Sequence, residues 1–493
     1  MIGSILVLIS VATSKTSSRF GVPSLILFLI IGVLAGSEGL GGIHFDNPQV
    51  AQFIGITALV FILYSGGLDT NWQAVKPIVW QAVALSTLGV FLTALAVGVF
   101  VHLAFGFTLY EGLLLGAIVS ATDAAAVFSI LRSRGMRLKG LLTPVLELES
   151  GSNDPMAYFL TVSLISIVAK GELDGWQLAF DFLHSFLLGA IVGYLMGRAS
   201  HWVINNIKLD AEGLYPVLLL GLAFFTYSAT HAIGGNGFLA VYLSAIILSN
   251  QSFIHKRTLI RFYEGQAWLV QIILFLTLGL LLFPSRLLPV ASMGLLISAF
   301  LIVVARPISV FASLAAFRIN NRSKWFISWV GLRGGVPIVF ATYPLLAGLA
   351  KAEMIFNLVF FISVSSVLLQ GTTLPFAAKL LHVLQPGTSK KKDGTNAKEH
   401  VRSELKEIVI SPDSQAVGKS IVYLRIPLSV HIIYIKREGQ YIQPVGSTRI
   451  LANDKLYVLA DNQSALEQTY IALQITKSPQ STDDGPYKSD NYQ

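Results

Sequence analysis

Long apolar runs separated by short polar segments dominate the first 386 residues of the chain. A helix that spans a bilayer needs about 20 mostly apolar residues, and about thirteen runs of this kind can be delimited. They lie near residues 2–14, 22–37, 49–66, 77–103, 110–131, 141–169, 177–204, 213–231, 236–250, 260–283, 288–317, 324–347 and 354–384. At a rise of ~1.5 Å per residue, the first run covers only about two-thirds of a bilayer core, which leaves open whether it is a complete span. The pattern predicts an all-α polytopic membrane domain.

The last hundred residues have a different composition. The whole chain is 54% hydrophobic and 13% charged, with a mean hydropathy of +0.66, whereas soluble domains carry about 25% charged residues. Charged residues make up about 9% of the first 386 residues and about 24% of the remainder. We therefore predict a transmembrane domain at 1–386, a linker at 387–402, a small α/β domain at 403–477 and a disordered tail at 478–493.

The small domain is predicted from short β-branched runs. Strands are expected at 407–410, 428–436 and 455–460, with an amphipathic segment near 420–425 and a final helix at 465–473. The chain has no cysteine, which excludes disulfides and thiolate metal sites.

Lysine and arginine are concentrated in alternate loops of the membrane domain. One set of loops holds Lys170, Arg286 and Lys351, and the other holds fifteen basic residues. Because cytoplasmic loops carry the excess of basic residues, the N-terminus is predicted outside and the C-terminal domain in the cytoplasm. The net charge of +8 has the same explanation, so no nucleic-acid partner is expected. The fifteen are Lys15, Arg19, Lys76, Arg132, Arg134, Arg137, Lys139, Arg198, Lys208, Lys256, Arg257, Arg261, Arg318, Arg322 and Lys324.

Two acidic clusters lie within predicted spans, at 120–124 (Ser-Ala-Thr-Asp-Ala) and 147–155 (Glu-Leu-Glu-Ser-Gly-Ser-Asn-Asp-Pro). A charge at bilayer depth costs at least ~2.5–3.5 kcal/mol and is a functional candidate by default. Glycine, serines and proline predict a locally weak sixth helix whose free carbonyls could bind a cation. Carboxylate, hydroxyl and carbonyl oxygens suit an alkali cation, and the absence of cysteine and of convergent histidines argues against a transition metal.

The chemistry expected of Asp154 is competition, because one carboxylate can hold a cation or a proton but hardly both. That competition is what an exchanger needs. The alternative for both Asp154 and Asp123 is a structural role, in which each carboxylate is paired with another group and holds helices together. Asp69, at the cytoplasmic end of the third span, is either a site residue or a solvated helix end.

Two arginines, Arg306 and Arg333, also lie in predicted spans. Each is expected to have a buried carboxylate partner, since an unpaired charge there would be prohibitive. Glu149, on a different helix face from Asp154, is the natural partner of Arg306 in a structural ion pair. The glycine-rich run around Arg333 predicts a broken helix late in the chain, matched by an early break around Thr122. Such a pair is typical of inverted-repeat transporters.

In their order, the motifs Ser-Ala-Thr-Asp (120–123), Glu-Ser-x-x-Asn-Asp (149–154), Ala-Arg (305–306) and Gly-Leu-Arg-Gly (331–334) resemble those of the NhaP-type monovalent cation/proton antiporters, the branch that includes the animal sodium/proton exchangers. The resemblance covers essentially all of 1–386. It implies a homodimer of protomers with about 13 transmembrane helices in an inverted-repeat NhaA/NhaP-like fold. Each protomer would have a dimerisation domain and a six-helix core that moves as an elevator, with two broken helices crossing at the ion site.

The resemblance also implies roles for individual residues. Asp154 would bind the cation and the proton, and the site would be completed by Ser150, Asp123, the Thr122 carbonyl, Asn153 and Asp69, which matches a third-span Glu of some members. Asn153 stands where electrogenic relatives have a second Asp, which implies electroneutral exchange. Many sodium-type members have Ala after the site Asp. Here the residue after Asp154 is Pro155, which resembles the potassium-preferring subgroup. The resemblance therefore favours K⁺, with Na⁺ as the other candidate.

The C-terminal domain resembles that of regulator-of-potassium-conductance proteins, at residues 417–420, 435–439, 444 and 456–459. That family's domains dimerise, and some bind a cyclic dinucleotide. The candidate residues for a regulatory ligand such as cyclic di-AMP or another nucleotide are apolar groups that could sandwich a base, and one Arg that could grip phosphate bidentately. The alternative is that the apolar residues form a core strand and the Arg lies in a solvated turn. The candidates are Ile432, Ile433, Arg437, Ile442 and Pro444.

A cation channel gated by the same regulatory domain is the main alternative, and an intramembrane enzyme is a second. A potassium channel needs a filter such as Thr-Val-Gly-Tyr-Gly, and neither that run nor a His-Glu-x-x-His or Gly-x-Ser-x-Gly motif occurs. The sequence therefore predicts a secondary transporter of the bacterial cytoplasmic (inner) membrane. Its expected partners are membrane lipid and a second copy of itself. No cofactor and no metal beyond the transported alkali cation are expected.

Overall fold

A computed structural model describes residues 2–20, 24–171, 174–385, 405–424, 426, 430–460 and 463–473. The chain divides into two compact units, Met1–Ser389 and Lys390–Gln493. The predicted linker and tail, residues 387–402 and 478–493, lie outside the described residues.

The described part of the first unit is helical. Its helices are α1 Ile2–Phe20, α2 Ser24–Ala35, α3 Pro48–Asp69, α4 Trp72–Phe105, α5 Leu109–Ile118, α6 Ala124–Ser133, α7 Leu142–Lys170, α8 Gly175–Asn206, α9 Leu214–Ala232, α10 Gly237–Ser249, α11 Lys256–Leu280, α12 Pro284–Ser313, α13 Asn321–Trp329, α14 Gly335–Leu346 and α15 Ala352–Leu380. Among the described residues, seven helices are long and apolar enough to cross a membrane: α3, α4, α8, α9, α11, α12 and α15.

Two helices differ from the sequence-based expectation. The first is 19 residues long rather than ending at residue 14, because no glycine or proline lies between residue 14 and Gly21. The sixth predicted span, α7, is a continuous 29-residue helix with Pro155 inside it, so it is not broken at its acidic cluster. Proline lacks an N–H, and Pro155 therefore leaves only the carbonyl of Gly151, four residues earlier, without its helical partner.

The helices pack in two groups. The core bundle comprises α4–α7 and α12–α15, and the flanking helices are α1–α3 and α8–α11. Within the core bundle, α4–α7 and α12–α15 repeat one plan. A long helix with a π-helical turn (Leu85–Gly89 or Leu301–Ala305) precedes a broken helix, and a 29-residue helix with an internal proline follows it. The first helices of the two halves meet directly, where Thr93 donates to Ser309 at 2.9 Å.

The two helix breaks cross each other inside the core bundle. Residues 119–123 separate α5 from α6, and residues 330–334 separate α13 from α14. The backbone N–H of Asp123 donates to the Leu332 carbonyl at 2.8 Å, which links the two segments. Gly334 allows the close approach, because a Cβ at this position would overlap Asp123. The early and late breaks predicted from the sequence are therefore confirmed.

The second unit is a four-stranded antiparallel sheet with one helix. The strands are β1 Leu405–Val409, β2 Val430–Arg437, β3 Gln440–Ile442 and β4 Lys455–Ala460, in the order β1-β4-β2-β3. Helix α16, Gln463–Leu473, packs on β2 and β4. Ile408, Ile435, Leu456, Val458 and Leu473 form the centre of its core. Strand β3 was not among the predicted strands. It follows β2 through a tight turn at Glu438 and Gly439, both with positive φ.

Candidate functional site

The first break and helix α7 together form the candidate cation site. The Ser150 hydroxyl donates to the Thr122 carbonyl at 2.9 Å and accepts from the Ala124 N–H at 3.1 Å. The Asn153 side-chain amide donates to the Thr122 hydroxyl. These bonds hold the extended segment against α7 and place its oxygens beside the acidic part of that helix.

The two carboxylates of the site differ in how their oxygens are used. One oxygen of Asp123 accepts from the Ala126 N–H at 3.1 Å and so caps α6. Asp154 is only 5% exposed, and among the described residues its Oδ1 has no hydrogen-bond partner. Asp123 is close enough to repel it electrostatically. Buried carboxylates without a partner are costly, so this arrangement favours binding of a positive ion or a proton.

Glu149 and Arg306 form a buried ion pair, and each side chain is 2% exposed. Glu149 lies on α7 and Arg306 begins the last part of α12, so the pair ties together the two halves of the core bundle. A Cβ at Gly331 would lie against the Arg306 side chain, so the second break also packs on this pair.

Arg333 is fully buried, at 1% exposed, but its partners differ from the prediction. Its Nη1 donates to the carbonyls of Ser120 and Ala121, at 2.6 and 2.8 Å. No ion pair of Arg333 with a carboxylate occurs in the part of the chain that the structure describes, so the expectation of an acidic partner is wrong. The physical reason is that carbonyls just beyond the end of α5 lack helical partners and carry the negative end of the helix dipole.

Asp69 is the last residue of α3, where the sequence placed it. Its side chain is exposed and lies within electrostatic reach of Glu264 and Arg132, while Glu147 in turn lies within reach of Asp69. Within the described ranges, no hydrogen bond joins Asp69 to Asp123 or Asp154. Hydrogen bonds and electrostatic proximity connect Thr122, Asp123, Ser150, Asn153 and Asp154, whereas in the described residues no hydrogen bond or ion pair links Asp69 to any of them.

Residues of α10 that the sequence analysis did not single out contact α7 beside the site. A Cβ at Gly151 would overlap the ring of Tyr242. Asn236 donates from its side chain to the carbonyl of Pro155 at 2.8 Å, next to Asp154. The available sequence signal was an asparagine between two glycines at the start of an apolar span, which is typical of a helix N-cap.

In the second unit, the side chain of Arg437 is 27% exposed and is paired with a buried carboxylate. It binds Asp454, which is 0% exposed, through Nε and Nη2, both at 2.8 Å. Nη2 also reaches the Arg449 carbonyl at 2.8 Å. This corrects the expectation for Arg437: the bidentate partner is Asp454, and the bond raises the pKa of Arg437 above its ordinary value.

The apolar candidates divide between the core and the surface. Ile432 and Ile442 pack against the core of the second unit, which is the alternative left open from the sequence, and Pro444 is half-buried. Ile433 is 45% exposed because the sheet is irregular between Ile432 and Tyr434. An open hollow of about 490 Å³ is lined by Ile433, Tyr434, Tyr441, Ile442 and Gln443.

Comparisons with known proteins agree with this architecture. A family model described as "Sodium/hydrogen exchanger, transmembrane" matches residues 5–380, and the TrkA-C domain model matches residues 405–469. The K(+)/H(+) antiporter NhaP2 of Shewanella oneidensis is 39% identical over 94% of this chain and 81% of its own length. The K(+)/H(+) antiporter NhaP of Alkalimonas amylolytica is 38% identical over 92% of this chain and 80% of its own.

The solved structure of the sodium proton antiporter MjNhaP1 from Methanocaldococcus jannaschii has the same fold. It superposes with a TM-score of 0.68 at 22% identity, covering 77% of this chain and 97% of that one. The long match to the family model and the identity to its relatives exceed what a shared fold alone would give. The chain therefore belongs to the sodium/hydrogen exchanger family and carries a TrkA-C domain: it is a multi-pass membrane protein and a monovalent cation/proton antiporter, hence a secondary transporter.

Proposed function

We propose that this antiporter exchanges K⁺, with Na⁺ as a weaker substrate, for H⁺ at Asp154. The observation that carries the proposal is the buried Asp154 carboxylate, which lies beside the crossing of two helix breaks and has an oxygen without a partner among the described residues. The preference for K⁺ is supported by relatives that are named K(+)/H(+) antiporters at 38–39% identity and by Pro155.

In the proposed cycle, Asp154 binds a cation when it is ionised and releases it on protonation. Ser150, the Thr122 carbonyl, Asn153 and Asp123 supply further oxygen ligands, of the kind that hard alkali cations prefer. Asn153 is neutral, so a single proton replaces a single cation and the exchange is electroneutral. Asp69, which is exposed at the end of α3, would meet the cation on its way to the site.

The core bundle is the moving part in this proposal, and the flanking helices are the fixed dimerisation domain. Their contact surface supports a sliding motion, because Gly55, Gly151 and Gly335 let side chains of the opposing group pack directly on the helix backbone. Counting each broken helix as one span gives the thirteen spans of the proposed topology. Its N-terminus would be outside the bacterial inner membrane and the C-terminal domain inside. Both domains would contribute to a homodimer.

The direct test is exchange in everted membrane vesicles. K⁺ or Na⁺ is added to a preformed proton gradient while a pH-sensitive dye reports proton release. We expect both cations to dissipate the proton gradient, with a half-maximal effect at a lower concentration of K⁺ than of Na⁺. The dissipation should not change when a potassium ionophore clamps the membrane potential. Cation conductance without coupled proton movement would instead indicate a channel and overturn the proposal.

We also propose that the TrkA-C domain regulates exchange by binding cyclic di-AMP or another nucleotide in the hollow beside Ile433. Exposed aromatic and branched side chains, such as Tyr441 at 66% and Ile433 at 45% exposed, are suited to stacking on a base. Calorimetry of the full-length protein in detergent should detect binding, and Ile433→Ala should weaken it. The matched control is Ile471→Ala, since Ile471 is equally apolar and 74% exposed on α16. No heat with cyclic di-AMP or with any other nucleotide would overturn this part alone.

A further inference from the structure

Asn236 is placed where the two helix groups meet beside the candidate cation site. Its side chain is 1% exposed and uses both of its polar groups. The Oδ1 accepts from the Leu239 N–H at 3.1 Å and caps α10, and the Nδ2 donates to the Pro155 carbonyl of α7 at 2.8 Å. Its backbone N–H donates to the Ser185 carbonyl at 2.9 Å, which fixes the cap to α8. Asn236 is thus anchored to the flanking helices and reaches across to the core bundle.

Few other side-chain hydrogen bonds resemble the one from Asn236 to Pro155 at the surface between the core bundle and the flanking helices. In the described part of the chain, it is the one buried side-chain hydrogen bond between the core bundle and the flanking helices. The others, from Ser285 to Glu38 and from Trp72 to Asn250, are exposed at helix ends. A carbonyl in a helix already has a helical partner, so the Asn236 bond is not needed to form α7. What it specifies is the position of α7 along α10.

The same turn of α10 also closes one side of the site. Phe238 is fully buried and packs edge-on against Tyr158, with ring centroids 5.1 Å apart. Tyr158 lies one helical turn beyond Asp154 and also meets the ring of Tyr343 at 5.7 Å. In the proposed topology these rings lie on the outer side of Asp154, whereas Asp69 and Glu147 are exposed on the cytoplasmic side.

We propose that Asn236 is a positioning residue that selects the conformation in which Asp154 is closed to the outside. The inference rests on the proposed function, because the bond to Pro155 must break when the core bundle slides along α10. The bond then stabilises the inward-open state relative to the outward-open one. Apparent affinity on each side scales with the population of the state open to that side. Loss of the bond therefore changes the ratio of the two apparent affinities, whatever their starting values.

The experiment compares the KM for K⁺ at the two membrane faces, in everted and in right-side-out vesicles. Asn236→Ser keeps an N-cap acceptor but is too short to reach Pro155. We expect the ratio of cytoplasmic-face KM to outer-face KM to rise by about two- to tenfold, the range for loss of one neutral hydrogen bond. Asn236→Asp keeps the size of the side chain and the cap but cannot donate when ionised, and it should change the ratio in the same direction. A defect in folding alone would lower the maximal rate and leave the ratio constant.

The matched control is Asn47→Ser. Asn47 caps α3 by accepting from the Val50 N–H at 3.0 Å and, among the described residues, makes no side-chain bond to the core bundle, so the KM ratio should not change. A second readout does not depend on transport. The chain lacks cysteine, and an impermeant maleimide at the outer face should label Phe238→Cys faster when Asn236→Ser is also present, by at most the factor found for the KM ratio. An unchanged or lowered ratio in an active exchanger overturns the role of Asn236, whereas absence of exchange in the wild type overturns the proposed function itself.

Discussion

Glu149 and Asp154 lie on the same helix and are both almost fully buried, at 2% and 5% exposed, yet their surroundings are opposite. Glu149 is bonded to Arg306, whereas Asp154 has a carboxylate oxygen without a partner among the described residues and a like charge, Asp123, as its neighbour. Burial alone therefore does not distinguish a carboxylate that is paired inside the protein from the one that we propose as the transport site. The difference lies in whether the protein itself balances the charge.

The largest effect is expected from a substitution of Asp154. We expect Asp154→Asn to abolish exchange, with a loss of at least about a hundredfold, because the amide can bind neither a proton nor, by charge, a cation. The folded protein should be at least as stable, since an unpaired buried carboxylate is removed. Exchange in everted vesicles and thermal unfolding in detergent measure the two effects. Asp210→Asn, in an exposed loop, is the control and should exchange normally.

The opposite result is expected at Glu149 and Arg306. Either change to Ala leaves a buried charge without its partner, which should lower the free energy of unfolding by ~3–5 kcal/mol. The double change should restore part of that loss, since the two residues contact each other. Thermal unfolding of the wild type, the two single variants and the double variant in detergent gives the coupling free energy between the two residues. If Arg306→Ala were as stable as the wild type but inactive, the pair would belong to the transport chemistry.

The sliding surface can be probed separately from both charges. A Cβ at Gly151 would overlap the Tyr242 ring, far inside the van der Waals distance from its nearest ring atom. The ring must therefore shift by about an ångström to accept Gly151→Ala, and we expect turnover to fall by about tenfold. Gly66 in α3 has no atom near its Cβ position, and Gly66→Ala should leave turnover unchanged. Equal rates for both variants would argue against movement of α7 along α10.

The smallest effect is expected from Asn153→Asp. A second carboxylate beside Asp154 would retain protons to higher pH through like-charge repulsion, so the pH at which exchange is half-maximal should shift upward. The Thr122 hydroxyl can donate to the new carboxylate instead of accepting from the amide, and the site should still assemble. The measurement is exchange rate against pH. An unchanged profile would show that Asn153 does not take part in the site.

Features that depend on neighbouring residues could be predicted from the sequence, whereas contacts between residues far apart in the chain could not. The helix breaks were visible because glycines and buried charges lie within a few residues of each other, as around Arg333. The partners of Arg333 could not be predicted, because they are peptide carbonyls, which every residue has and which leave no signal in the sequence. The same holds for Asn236 and Pro155, which are 81 residues apart in sequence, and for Arg437, whose partner Asp454 lies beyond a hairpin that the pattern did not reveal.

The carbonyls that hold Arg333 have a consequence for acid response. Had this guanidinium been balanced by a carboxylate, the charge balance at the helix crossing would depend on that acid staying ionised. Peptide carbonyls do not titrate in the physiological range, so they stabilise the positive charge of Arg333 to the same extent in acid and in alkali. The contact between Arg333 and the first break is therefore independent of pH, and in the proposed mechanism the carboxylates beside it are the groups that respond to protons.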